Sequence, residues 1–198
     1  METSNFCNEE HLLENLYVRL EPLKESHYPF LLPLALERKI WEFTSNKINC
    51  YTDFRRYFDI ALTEKKEGMS YPFAVYDKKS GSYAGSTRYG NISFVHKKVE
   101  IGWTWYHPTF QRTGINKACK ALLLNFGFNE LHLNRMELKT SSLNLKSQGA
   151  MLKIGAVKEG LMRKHMITDH GLPRDNIYFS FINDEWPMIK EKYFTDIF

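Results

Sequence analysis

Residues 16–23, LYVRLEPL, alternate apolar and polar positions, the period-two pattern of a strand with one face in a core. The following segment, KESHYPFLLPLALERKIWEF, spaces its apolar residues as helices do but is interrupted by Pro29 and Pro33. A clearer helix is predicted over residues 52–68, opened by Thr52 or Asp53 as N-cap and stopped at Gly68. Residues 71–108 then hold three strand-like runs, with turn chemistry at Lys78 to Gly81 and a polar hairpin at His96 to Lys98. Residues 116–130 return to helical spacing, NRMELKT (134–140) reads as a strand, and Asn144 opens a helix that runs to Gly155. The last pattern, residues 157–182, is a hairpin turning at Asp169 to Pro173.

The order β, α, α, β, β, β, α, β, α, β, β has too few helices, too unevenly placed, for a regular doubly wound sheet, so an α+β fold with a mixed sheet is expected. At 198 residues, with no linker composition and no internal repeat, the chain is read as one domain over 1–198 with a polar extension at 1–15. A net charge of +4 is too dilute for a non-specific nucleic-acid binder, so basic residues must be judged locally and no DNA partner is expected. Cys7, Cys50 and Cys119 are odd in number and widely spaced, which predicts neither a disulfide framework nor a metal site. METSNFCNEEHLLEN lacks an apolar leader core and no later stretch suits a membrane span, so a reducing cytoplasmic location is expected and the sequon Asn91-Ile92-Ser93 carries no weight.

The segment HPTFQRTGINKACKALLL (107–124) breaks a rule. Arg112 and Lys117 stand at the start of a predicted helix, where a cation opposes the helix dipole and costs a few tenths of a kcal/mol, roughly, unless an anion offsets it. Gly114 lets backbone N–H groups approach a guest closely, and strand, short loop and helix N-terminus together make a phosphate site. The alternative is a plain turn with two solvated cations. Neither GxxxxGK[ST] nor GxGxxG after a strand is present.

VEIGWTWYHPTFQRTGINKACKALLLNFGF resembles the acetyl-CoA-binding motif of the GNAT superfamily of N-acetyltransferases, with its Gln/Arg-x-x-Gly-x-Gly/Ala pattern on Gln111, Gly114 and Asn116. SLNLKSQGAMLKIGAVKEGLMRKH and RDNIYFSFINDEWP resemble further segments of the RimJ/RimL-like branch, and the likeness runs from about residue 16 to 187. The resemblance implies a mostly antiparallel twisted sheet flanked by helices and splayed between two central strands. It implies acetyl-CoA as co-substrate, its pyrophosphate against the N–H groups of Gln111, Arg112, Thr113, Gly114, Ile115 and Asn116 with Lys117 adding charge, and its pantetheine along Trp103, Thr104 and Trp105. Asn116, where the family has a small residue, departs from the pattern. Trp103 and Trp105 share a strand face by alternation and serve equally as core aromatics. Asn144 would reach the pantetheine and Ser147 the thioester sulfur, although the same pair also reads as a helix cap. Gly149, inside that helix, suits close approach of a ligand or a strand.

Acetyl transfer to an amine needs a proton acceptor, a donor for the oxyanion and an acid for the leaving thiolate. Ser147 is the candidate acid, and a backbone N–H of residues 103–105 the oxyanion donor. Glu137, on a strand face with Arg135 and Lys139, is the first candidate base; His165 is its rival and Glu100 the third. The implied acceptor is a primary amine, either a protein N-terminus or a small molecule such as a polyamine or aminoglycoside. A non-catalytic acetyl-CoA sensor, an RNA or ribosomal-protein binder and a homodimeric assembly remain open.

Overall fold

The computed structural model describes residues 3–198. Its strands are β1 (Leu13–Glu14), β2 (Val18–Pro22), β3 (Ser70–Asp77), β4 (Ser82–Ser93), β5 (Lys98–Tyr106), β6 (Arg135–Ser141), β7 (Val157–Ile167) and β8 (Pro173–Ile182). They form one sheet in the order β1-β2-β3-β4-β5-β6-β8-β7, antiparallel throughout except for the parallel pair β5 and β6. Six α-helices accompany the sheet: α1 (Thr3–Asn8), α2 (Tyr28–Ala35), α3 (Tyr51–Lys66), α4 (Ile115–Asn125), α5 (Leu145–Leu152) and α6 (Trp186–Tyr193).

Alternation in the strands builds two cores. Leu20, Phe73, Ile101, Met136, Leu138 and Phe179 pack with Leu123 of α4 and Trp186 of α6, while Ala74 and Trp105 pack with Leu31 of α2 and Phe54 and Phe58 of α3. Burying one such side chain stabilises the fold by about 1.5–3 kcal/mol. Pro33 lies inside α2 rather than breaking it, and Pro29 occupies the first turn. In a helix this short the interior proline forfeits one bond, to the carbonyl four residues back.

The polar N-terminal segment is not a simple extension. Phe6 is fully buried, Cys7 is buried beside it, and Leu13–Glu14 pair with β2. Helix α6, absent from the sequence-based element order, buries Trp186 and Ile189. Its start carries Asp184 and Glu185 ahead of Pro187, an ordinary helix-opening signal.

One irregularity in β5 matters for the site. Ser86 pairs with Trp105 and Arg88 with Gly102, so Trp103 and Thr104 together oppose the single residue Thr87. Trp103 has φ +48°, an uncommon backbone for a bulky residue and one that this bulge absorbs. Val99 and Ile101 accordingly face α4, while Trp103 and Trp105 face α3 despite equal spacing. Trp103 and Trp105 share a face, as expected, and the bulge makes it the α3 face instead of the α4 face taken by Val99 and Ile101.

Candidate active site

The loop after β5 is shaped by its own polar atoms. His107 accepts the N–H of Thr109, Thr113 Oγ1 donates to the carbonyl of Phe110 at 2.7 Å, and Gln111 Nε2 donates to Tyr106 O at 3.2 Å. Arg112 has φ +65° and Gly114 φ +93°, two left-handed residues flanking Thr113. Left-handed residues beside a helix start are the backbone elements from which anion-binding nests are built. Gly114 is the N-cap of α4 and no side chain caps the helix. A Cβ on Gly114 would meet no protein atom within 4 Å, so the space above it is free for a guest. Arg112 is exposed and makes no hydrogen bond or ion pair among the described residues. Lys117 Nζ donates to Asp196 Oδ1 at 2.6 Å. The C-terminal segment thus shares the charge expected to serve the anion.

Beyond this loop the sheet opens. The ladder of β5 with β6 has three rungs, Lys98 with Arg135, Val99 with Met136, and Glu100 with Glu137. Above Glu100, the backbone groups of β5 that point away from β4 have no strand partner. They form one wall of a notch whose other wall is the end of β6. An extended ligand laid in the notch would satisfy these groups as a neighbouring strand does.

Helix α5 starts where β6 ends, at the mouth of the notch. Asn144 Oδ1 accepts the N–H of Ser147 at 3.0 Å, so the capping role is real. Ser147 Oγ makes no hydrogen bond among the described residues and stays available to a ligand. A Cβ on Gly149 would meet nothing within 4 Å, so no strand packs against that glycine.

The opposite face of the notch is lined by paired side chains. Glu100 and Glu137 form the last rung before the strands part. Glu100 Oε2 accepts from Lys139 at 2.9 Å and from Asn91 at 2.8 Å, while Glu137 Oε1 accepts from Arg135 at 2.9 Å and Lys98 at 3.3 Å. The Glu100 side chain is 3 % exposed and that of Glu137 15 %. Arg135 also clasps Glu159, whose carboxyl its guanidinium holds down to about 2. His165 does not stand free as a base. Asn176 Nδ2 lies 2.8 Å from its Nδ1 and the Tyr178 hydroxyl 3.2 Å from its Nε2, so both ring nitrogens are engaged.

Several residues were not found by pattern. Arg88 is buried, donates to Glu64 at 2.8 Å and lies over the Trp103 ring; Asn176 is fully buried and accepts from Arg174 Nε at 2.8 Å. Lys120 is buried in α4 beneath Thr104. Its one sequence signal was a lysine inside the apolar run ACKALLL, a position that helical spacing puts inward. A groove of about 750 Å³ beside Tyr28, Arg55, Ile60 and Met69 runs along α3, lined by none of these site residues. Among the described residues no cluster of three or more His, Cys, Asp or Glu is arranged for a metal ion, and no helix is long and apolar enough to cross a membrane.

This geometry has counterparts. A family model described as an acetyltransferase (GNAT) domain matches residues 18–157. A Bacillus subtilis protein, "Putative ribosomal N-acetyltransferase YdaF", is 33% identical over 106 residues, 54% of this chain and 57% of that protein, so the match spans a little over half the relative's length. The crystal structure of a GCN5-related N-acetyltransferase from Brucella melitensis superposes with a TM-score of 0.85 at 28% identity, covering 93% of this chain and 84% of the other. Mycobacterium smegmatis RimJ in complex with CoA-disulfide shares the fold, with a TM-score of 0.74, 21% identity, and 90% and 88% of the two chains covered. With an uncapped helix start after β5, a sheet parted after three rungs, and a family match across most of its length, the chain belongs to the acetyltransferase (GNAT) family.

Proposed function

We propose that this protein transfers the acetyl group of acetyl-CoA to a primary amine by direct attack on the thioester. The observation that carries this reading is the parting of β5 from β6 above Glu100, in line with the uncapped start of α4. The left-handed pair Arg112 and Gly114 would present N–H groups to the pyrophosphate, and the guanidinium of Arg112 would lose its conflict with the helix dipole once an anion is bound. The pantetheine would lie along residues 103–105, with Asn144 at its side. Bound there, acetyl-CoA supplies the activated acyl group.

The remaining steps fall to side chains. The carboxylates at the last rung stand at the floor of the notch, and Glu137, the more exposed of the two, is the proposed proton acceptor for the amine, with Glu100 beside it. A β5 backbone N–H would stabilise the oxyanion, and Ser147 Oγ would protonate the sulfur. His165 is assigned to orienting Tyr178. The acceptor class proposed first is a protein N-terminus, as the description of the YdaF relative suggests, with polyamines and aminoglycosides as the second class. A cytoplasmic location accords with such an acceptor.

Incubation with acetyl-CoA and panels of N-terminal peptides, polyamines and aminoglycosides, read by mass spectrometry as a gain of one acetyl group, tests the proposal. Tight acetyl-CoA binding without product on any panel would instead make the protein a sensor.

A further inference from the structure

Lys120 is 5 % exposed, in the middle of an otherwise apolar helix face. Buried lysines ordinarily have a carboxylate beside them, because an unpaired ion taken out of water is strongly unfavourable. Among the described residues no carboxylate pairs with Lys120. Its Nζ donates to Thr104 Oγ1 at 3.0 Å. That hydroxyl also meets Thr87 Oγ1 at 2.7 Å and the carbonyl of Gly102 at 3.3 Å. The lysine therefore grips the bulge of β5 from within, at Thr104, one of the two residues that oppose Thr87.

The neighbouring titratable groups do not cancel its charge. Cys119 on the same helix is pushed up to about 12 by burial, and Tyr106 of β5 is raised well above its ordinary range by the same cause, so both stay neutral. Lys117, on the same helix, is paired with Asp196. Burial lowers Lys120 itself to about 8, which leaves the ammonium the main form at neutral pH. A lone cation in a medium of low dielectric projects its field much further than one in water.

We propose that Lys120 is a positioning residue for acetyl transfer: through Thr104 it fixes the bulge of β5 and adds a positive field where the thiolate leaves, against the carboxylates Glu100 and Glu137, which are held by their own cations at the notch floor. The inference rests on the acetyl-CoA reading above. When the carbon–sulfur bond of the tetrahedral adduct breaks, the electron pair goes to sulfur. Lys120 keeps its proton and acts through its field and its hold on the strand, and the sulfur takes its proton elsewhere, from Ser147.

The test follows the thiol of bound CoA by ultraviolet difference absorbance across pH, in wild type, Lys120→Met and Lys120→Arg. In wild type the bound thiol is expected to titrate at least about one pH unit below free CoA. Lys120→Met should abolish that shift, and Lys120→Arg, whose cation keeps its proton at every pH used, should retain it. An identical titration in wild type and Lys120→Met, both binding CoA, overturns the proposal. If Lys120→Met does not fold, Lys120→Gln, uncharged at every pH used, takes its place; loss of the shift there supports the proposal, and a wild-type titration overturns it. Failure of wild type to bind CoA at all would overturn the acetyl-CoA reading instead, and this inference with it.

Discussion

The two halves of the proposed site are built from different materials. The cofactor half, from Trp103 to Lys117, consists of backbone: two left-handed residues, an uncapped helix start and the unpaired edge of a strand. The half facing the acceptor consists of side chains that hold one another, Glu100 with Lys139 and Asn91, Glu137 with Arg135 and Lys98, His165 with Asn176 and Tyr178. Backbone binding depends on shape, which a single Cβ can spoil. Side-chain binding depends on partners, and a charge-removing change disturbs each partner in turn. A fold can therefore keep one co-substrate through many sequences while its acceptor half is rewritten.

The strongest attempt to break that contrast is Glu137→Gln, which keeps the side chain's shape and removes its proton affinity. If Glu137 is the base, the rate should fall roughly 10²–10⁴-fold while acetyl-CoA affinity is unchanged. Glu100→Gln in parallel decides which carboxylate of the rung does the work, since a larger loss there would move the role to Glu100. Steady-state kinetics with the acceptor found by the screen, alongside calorimetric affinity, separates the two.

On the cofactor side Gly114→Val should act in the opposite sense. At φ +93° a β-branched residue is strained, and its side chain would fill the space above the loop. Acetyl-CoA at about 100 times its Kd should stabilise wild type by roughly 2.7 kcal/mol, seen as a rise in Tm, and most of that rise should vanish in the variant. Equal shifts would sink the loop assignment.

Lys120 lies beneath the β5 bulge and carries an expected gain. Its folded-state value of about 8 lies below the ordinary 10.5, so between those limits the unfolded chain binds more protons and stability should rise with pH. Below pH 8 the full penalty applies, on the order of 3 kcal/mol. Lys120→Met should thus raise Tm at pH 7 and flatten the pH dependence between pH 8 and 10.5, as thermal melts would record. The smallest effects belong to α5. Asn144→Ala should cost about 1 kcal/mol as a lost cap, whereas Ser147→Ala should leave the melting temperature nearly unchanged and lower kcat more than acetyl-CoA affinity.

Much of this was legible because it is local. A left-handed glycine before an amphipathic run, an Asn three residues before a Ser, and alternation along residues 134–140 each announce themselves within a few positions. What was not legible depends on residues far apart in the chain. The pairing of Lys117 with Asp196 spans 79 residues, and the burial of Phe6 depends on strands more than sixty positions away, such as the one bearing Tyr71. His165 looked free because the pairing of its hairpin shifts register between Met162 and Met166, and that irregularity, which no local pattern announces, sets which side chains of the neighbouring strand it meets, here Asn176 and Tyr178. The bulge at Trp103 escaped for a subtler reason: Trp103 and Trp105 keep their alternation, and only the comparison with Ile101 exposes the switch.

That switch has a consequence for how the gene tolerates insertion and deletion. Losing one residue at position 103 or 104 would remove the bulge and leave one residue opposite Thr87, with Trp105 still paired to Ser86 and facing Trp41 and Phe54 and Tyr106 still in the opposite core, so the cores would survive while the irregular edge of the notch would not. The same loss in the exposed turn between β7 and β8 would change a connection and leave both faces of the sheet as they are. Length, and not only residue type, is a functional property of this strand.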